Sequence, residues 1–180
     1  MLTKIIRAAD ENGIEAAAKL SAKVIKHGGL VALPTETVYG LGANALDKEA
    51  VNKIFAAKGR PQDNPLIVHV SGMKMAEDLL LEVPPLAYKL SEKFWPGPLT
   101  MIMRKRDIIP DTVSAGLDTI GVRMPNSMSF LRTIEKSGVP IAAPSANTSG
   151  KPSPTTAQHV YDDLNGKIDL IVDGGSCSVG

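Results

Sequence analysis

Cysteine is nearly missing: the 180 residues contain one, Cys177, so no disulfide can form within the chain. Histidine is scarce as well. His27, His69 and His159, with that single thiol, fall short of the Cys/His sets that build a zinc centre, and no protein-built metal site is expected. Aromatic residues make up 4%, with three Phe, three Tyr and one Trp, a poor supply of the platforms on which nucleic-acid bases stack. An excess of either charge is lacking too. The net charge is +1, so any basic function has to come from a local patch. No apolar run approaches the ~18 residues that span a bilayer, and Met1-Leu2-Thr3-Lys4-Ile5-Ile6-Arg7 lacks the apolar core of a signal peptide. A cytoplasmic chain with no membrane partner is expected. Neither a phosphate-binding P-loop nor a dinucleotide glycine fingerprint is present, so a nucleotide would be held by some other device.

What is present is an ordinary globular composition, 43% hydrophobic and 22% charged, in a chain long enough for one domain with a sizeable core. Ile5-Ile6 reads as a short strand, and Ile14 to Ile25 keeps helical apolar spacing, closed by His27-Gly28-Gly29. Leu30–Leu33 is a continuous apolar run, as in a strand buried on both faces. Asp47 caps a helix with a buried stripe of Ala50, Val51, Ile54 and Phe55. Further strands are predicted at Leu66–Val70, Leu99–Met103, Thr119–Met124, Ile141–Ala143 and Leu170–Val172. Helices are predicted around Met75–Leu81 and Leu86–Phe94, over Phe130–Ile134 after a cap at Asn126 or Ser127, and after Ser153 as cap with Pro154 at the first helical position. Helices alternating with buried strands imply an α/β domain on a mixed, mostly buried sheet.

Polar groups gather where the predicted strands stop. Pro34-Thr35-Glu36-Thr37 follows one, His69 and Arg123 end two others, and Pro144-Ser145-Ala146-Asn147 follows a fourth. Open α/β sheets build ligand crevices at carboxyl strand ends, so these groups are expected to converge on one cleft. Beside it falls Ala57-Lys58-Gly59-Arg60-Pro61-Gln62-Asp63-Asn64-Pro65, a stiff basic connection. Read by itself, Lys58-Gly59-Arg60-Pro61 is an ordinary helix stop; read with the cleft, it is a phosphate grip in which Lys58 supplies a point charge and Arg60 a planar fork. The segment Pro34 to Gly42 is either a turn or a polar ligand lining. His69 on its apolar strand is either a hydrogen-bonded core histidine or a ligand group. Arg123 at the end of a buried strand needs an anionic partner, for which a carboxylate is the natural match. The hydroxyl-rich Pro144–Pro154 is either a solvated loop or a second phosphate wall. Arg104-Lys105-Arg106 is either a solvated strand end or a contact for RNA backbone.

Together, Pro34-Thr35-Glu36-Thr37-Val38-Tyr39-Gly40-Leu41, Lys58-Gly59-Arg60-Pro61, Asn64-Pro65-Leu66, Trp95-Pro96-Gly97-Pro98-Leu99-Thr100, Val122-Arg123-Met124-Pro125 and Pro144-Ser145-Ala146-Asn147 resemble the YrdC-type threonylcarbamoyl-AMP synthases, in order and over nearly the whole chain. The resemblance implies an α/β fold around a large basic cavity. It also implies synthesis of L-threonylcarbamoyladenylate from L-threonine, bicarbonate or CO2, and ATP, with release of pyrophosphate, for modification of tRNA next to the anticodon. It places Lys58, Arg60, Ser145 and Asn147 at the reacting nucleotide, adds Asn64, Thr119 and Ser153 as ATP contacts, and gives Thr37, His69, Arg123 and the backbone of Ala143 to the threonine pocket. Mg²⁺ is implied on the ATP phosphates. The implied partners are tRNA or double-stranded RNA and downstream threonylcarbamoyl-transferase proteins. On this resemblance residues 1–180 form one YrdC-like domain that stops short of the Glu-Ser-Thr segment found after the family's last strand, with no second C-terminal domain. An RNA-binding module without chemistry, and a carbamoyl-transfer accessory domain such as occurs in hydrogenase-maturation factors, are the alternatives.

Overall fold

The computed structural model describes residues 1–178. In chain order these form β1 (Lys4–Arg7), α1 (Glu11–Lys26), β2 (Val31–Pro34), β3 (Tyr39–Asn44), α2 (Lys48–Lys58), β4 (Ile67–His69), α3 (Met73–Leu79), α4 (Pro85–Phe94), β5 (Met101–Arg104), α5 (Asp111–Ser114), β6 (Thr119–Arg123), α6 (Met128–Ser137), β7 (Ile141–Ala142), α7 (Ala157–Leu164) and β8 (Leu170–Asp173). The strands make one mixed sheet in the order β1-β8-β2-β3-β7-β4-β6-β5. The pairs β1/β8, β2/β8 and β4/β6 run parallel, whereas β2/β3, β3/β7, β4/β7 and β5/β6 run antiparallel. The expected α/β domain on a mixed sheet is therefore present.

Alternation along the buried strands feeds two cores, because successive side chains leave opposite faces. Leu30 and Ala32 pack with Val51, Ile54, Phe55, Val160 and Leu164 on the α2 and α7 face. Val31 and Leu33 pack with Ala17, Ile25, Phe130 and Ile134 on the α1 and α6 face. Across that second face, Arg132 bonds Glu15 at 2.9 Å and Glu11 at 3.1 Å, and Lys136 pairs with Glu15.

The helix ends follow local chemistry. The Asp10 side chain accepts from Gly13 N at 2.7 Å and caps α1. Asp47 accepts from Glu49 N and Ala50 N at 3.0 and 3.2 Å and caps α2. Ser127 rather than Asn126 caps α6. Gly59 and Gly138 end α2 and α6 in the left-handed region, at φ 62° and 70°, which glycine enters without steric cost.

Four readings are corrected. The segment after Pro34 is a four-residue turn followed by a strand, β3, whose Leu41 sits opposite Ala32 in an antiparallel hairpin; its two glycines hide a strand that is buried along its length. The last helix is capped by Thr156, whose hydroxyl accepts from His159 N at 3.2 Å, not by Ser153. Pro154 is drawn off instead because its carbonyl accepts from Tyr39 N at 2.9 Å. The helix expected over Met75–Leu81 ends at Leu79, since Leu81 N donates to Arg104 O at 3.0 Å and pulls the chain toward β5. Arg104-Lys105-Arg106 is partly structural: Lys105 is buried, donates to Ile109 O at 3.0 Å and pairs with Asp111 at 3.2 Å, while Arg106 Nε donates to Leu80 O at 2.7 Å. No helix among the described residues is long and apolar enough to cross a membrane.

Loss of the α2 cap is the simplest test of this local reading. Asp47→Ala is expected to lower the unfolding free energy by about 1 kcal/mol in urea denaturation; an unchanged midpoint would show that the cap contributes nothing to the folded chain.

Candidate active site

The end of α2 and the loop after β7 are braced against each other. Lys58 is 2% exposed, and its ammonium donates to the carbonyl of Ser145. One residue on, Gly59 turns the chain so that Arg60 N donates back to Phe55 O at 3.0 Å. From the other side Ser149 N donates to Lys58 O at 2.9 Å. Asn147 Nδ2 closes its own loop by donating to Thr148 O and Lys151 O, each at 2.9 Å, and Thr148 N donates to Asp163 of α7 at 3.0 Å. Burial, with the Arg60 cation nearby, pushes Lys58 down to about 8.

Two polar atoms in this brace are buried with no partner: the Nε of Arg60 and the Oδ1 of Asn147. An unmet buried donor or acceptor costs about 1–3 kcal/mol. Both atoms belong to residues predicted to hold the nucleotide.

A hollow of about 230 Å³ opens beside the brace, lined by Thr35, Arg60, His69, Arg123, Ala143 and Ser145 among others. His69 and Arg123 lie side by side because β4 and β6 are parallel and in register there. Ala143 and Ser145 arrive differently. β7 runs antiparallel to β4, so the groups do not share one carboxyl edge, as the cleft reading supposed. They meet over the sheet, where Gly40 bridges Ser145 and neither Gly40 nor Ala143 adds side-chain bulk. His69 stacks on Phe130 with ring centroids 4.9 Å apart. Its Nδ1 lies 3.3 Å from Ile141 O; a carbonyl only accepts, so Nδ1 is the donor in that bond. The core reading of His69 holds, and the same ring is a wall of the hollow.

Arg123 already has its anion. Its Nε donates to Gly97 O at 3.1 Å and its Nη2 pairs with Glu36, so the carboxylate sought for it is present within the chain. The other oxygen of Glu36 accepts from Asn126 N at 2.8 Å. Burial holds Arg123 below the ordinary guanidinium range.

Of the predicted residues, Arg60, His69, Arg123, Ala143 and Ser145 line the same hollow, Lys58 is tied to its Ser145 wall, and Asn147 lies in the next turn. Thr37 does not line it; its hydroxyl lies 3.0 Å from that of Thr35, which does. Asn64 is exposed on the 61–65 loop. Thr119 is paired with Arg104 at the far end of β6 from Arg123. Ser153 lines a separate hollow of about 290 Å³ with Lys151, His159 and Asp163. A wider hollow of about 790 Å³, lined by Lys23, Lys53 and Lys167, contains none of the predicted residues. Thr35 and Glu36 were expected at the cleft as part of the Pro34–Thr37 motif but received no individual role in the sequence; Thr35 lines the hollow and Glu36 pairs with Arg123.

The Sua5/YciO/YrdC family model, described as telomere recombination, matches residues 23–180. The threonylcarbamoyl-AMP synthase of Pyrococcus abyssi is 55% identical over 162 residues, covering 90% of this chain and 48% of that protein. That of Bacillus subtilis is 53% identical over 161 residues, covering 89% and 46%. The crystal structure of P. abyssi Sua5 complexed with L-threonine superposes with a TM-score of 0.93 at 51% identity, over all of this chain and 52% of that one. The chain thus spans about half the length of these relatives.

The buried imidazole has a consequence for stability. Burial pushes His69 down to about 4 from an ordinary 6.5, so between these values the unfolded chain binds the proton and the folded chain does not. This contribution is complete above pH 6.5, fades as pH falls, and is gone below about 4; it amounts to about 3 kcal/mol. Urea denaturation between pH 7 and 4 should show His69→Gln lacking that share of the fall in stability. Parallel curves for the two proteins would contradict a neutral, buried His69.

Proposed function

The chain belongs to the Sua5/YciO/YrdC family, and from that premise we propose that it is a nucleotidyltransferase making L-threonylcarbamoyladenylate from L-threonine, bicarbonate or CO2, and ATP, with release of pyrophosphate. The observation that carries this is the convergence of Arg60, His69, Arg123, Ala143 and Ser145 on one hollow, with Lys58 bound to the same wall.

In this reading the amino-acid carboxylate is taken by Arg123, and His69 walls the pocket. The backbone at Ala143 and the hydroxyls of the Thr35–Thr37 turn close the pocket. The amine adds to CO2 and loses a proton to give a carbamate. A carbamate oxygen then bonds to the α-phosphorus of ATP as the bond to pyrophosphate breaks. No covalent intermediate with the protein is needed, so the catalytic contribution is placement of the two reactants and stabilisation of phosphate charge. Arg60 and Lys58 supply the cations, while Ser145 and the free Oδ1 of Asn147 take polar groups of the nucleotide. Asn64, Thr119 and Ser153, outside the hollow, serve the more distant parts of ATP. Among the described residues no three side chains of metal-ligating type gather; Mg²⁺ would enter as part of the MgATP substrate, held by its phosphates.

We further propose that residues 1–180 act as one domain of the family in the cytoplasm. The product is passed to a threonylcarbamoyl-transferase for modification of the adenosine next to the tRNA anticodon, with tRNA or double-stranded RNA as a direct contact.

The test is pyrophosphate release by the chain supplied with MgATP, threonine and bicarbonate. Release that depends on threonine supports the assignment; none, from folded protein, overturns it. Arg60→Ala is expected to cut turnover by at least about tenfold because it removes a charge-assisted phosphate contact, and Lys58→Ala by as much because it removes a cation and the bond to the Ser145 carbonyl; wild-type rates would refute their placement. Arg123→Ala should chiefly raise the threonine concentration required, and an unchanged threonine dependence would count against its carboxylate role.

A further inference from the structure

The Arg123–Glu36 pair divides two hollows. Thr35 lines both of them. Arg123 faces the hollow of about 230 Å³ with His69 and Ser145. Glu36 faces a second, of about 320 Å³, with Asn126, Ser127, Ser129 and Ser176. Side-chain exposure is 11% for Arg123 and 12% for Glu36, so the two charges neutralise each other largely out of water. Arg123 Nε is taken by Gly97 O, and Glu36 pairs with Nη2.

We propose that Glu36 is a resident carboxylate on Arg123, displaced by the carboxylate of the incoming amino acid, and that this exchange sets how tightly the amino acid binds; the inference rests on the threonine-pocket reading above. An empty pocket with an unpaired buried guanidinium would be costly, and Glu36 removes that cost. Two carboxylates crowded against one largely buried guanidinium repel, so the substrate replaces Glu36 rather than joining it. The backbone need not move for the exchange. Thr35 already fixes the turn: its hydroxyl donates to Val38 O at 2.6 Å and accepts from Thr37 N and Val38 N, each at 3.1 Å. The displaced side chain turns into the second hollow, among its serine hydroxyls, and its bond to Asn126 N changes as it does so. The apparent affinity of the substrate is reduced by the fraction of molecules in which Arg123 is free.

The sign of the effect separates this role from a purely structural one. Glu36→Gln keeps an acceptor for Asn126 N and weakens the hold on Arg123. Calorimetric titration of L-threonine into the whole chain should show Kd falling by at least about threefold in Glu36→Gln, whereas L-threoninol, which has no carboxylate, should show no such gain. If Glu36 merely orients Arg123, threonine binding weakens in the variant, and weaker or unchanged binding overturns the inference. A readout in the wild-type chain covers a variant that fails to fold. The Asn126 amide resonance should shift as threonine is added and Glu36 leaves; a resonance that stays fixed at saturating threonine also overturns it. Folded wild-type protein that binds no threonine overturns the pocket reading and this inference together, while wild-type binding with no gain in Glu36→Gln overturns this inference alone.

Discussion

A lysine ammonium held inside the protein by one backbone carbonyl is the constraint on which the site depends. Lys58 is the last residue of α2, and without the Ser145 carbonyl its charge would lie buried with no acceptor, an arrangement proteins avoid because desolvation is so costly. The bond therefore fixes where the loop after β7 lies relative to the end of α2. Arg60 and Ser145 face one hollow because that distance is fixed, and the return bond from Ser149 N to Lys58 O leaves the loop little freedom to drift.

The sheet sets the rest. β7 is two residues long, yet it joins the β2–β3 hairpin to the β4–β6 pair, so a very short strand carries the connection between the two halves of the domain. Close packing at this seam depends on glycine. A Cβ on Gly42 would lie 2.7 Å from Ile141 Cγ2, which no real contact tolerates. At Gly40, on the same face of β3, the Pro144-Ser145 segment lies across the strand, with Leu41 N donating to Pro144 O and Ala146 N to Tyr39 O, each at 2.8 Å.

Much of this was legible in the sequence where one physical cause acted alone. Asp47, Gly59 and Gly138 mark helix ends by side-chain oxygen and by positive φ, and they do so in the structure. The apolar runs of β2, β4 and β8 declared themselves by burial on both faces. Where two causes competed, the reading failed. Tyr39-Gly40-Leu41-Gly42 has the glycines of a loop but the burial of a strand, and glycine content concealed the pairing. Ser153-Pro154 has the chemistry of a helix start, but the Pro154 carbonyl is used by β3. For the site, residue types were readable and strand direction was not: His69 and Arg123 come from strands that run opposite to the one leading to Ser145. The need of Arg123 for an anion was legible. That Glu36 meets it depends on a contact 87 positions away in the chain, which no local pattern encodes.

The two sides of the hollow differ in how firmly they are held. His69 and Arg123 stand on interior strands with ladder neighbours on either side, so their backbone opens only when the sheet itself opens. The 61–65 loop beyond Arg60 is solvent-exposed along its length and can open locally at small free-energy cost. In the proposed reaction, discrimination among small molecules would fall to the unyielding wall, and admission of a bulky one to the compliant rim. Altering the rim would then change how fast a large ligand enters and leaves without changing which small ligand is chosen.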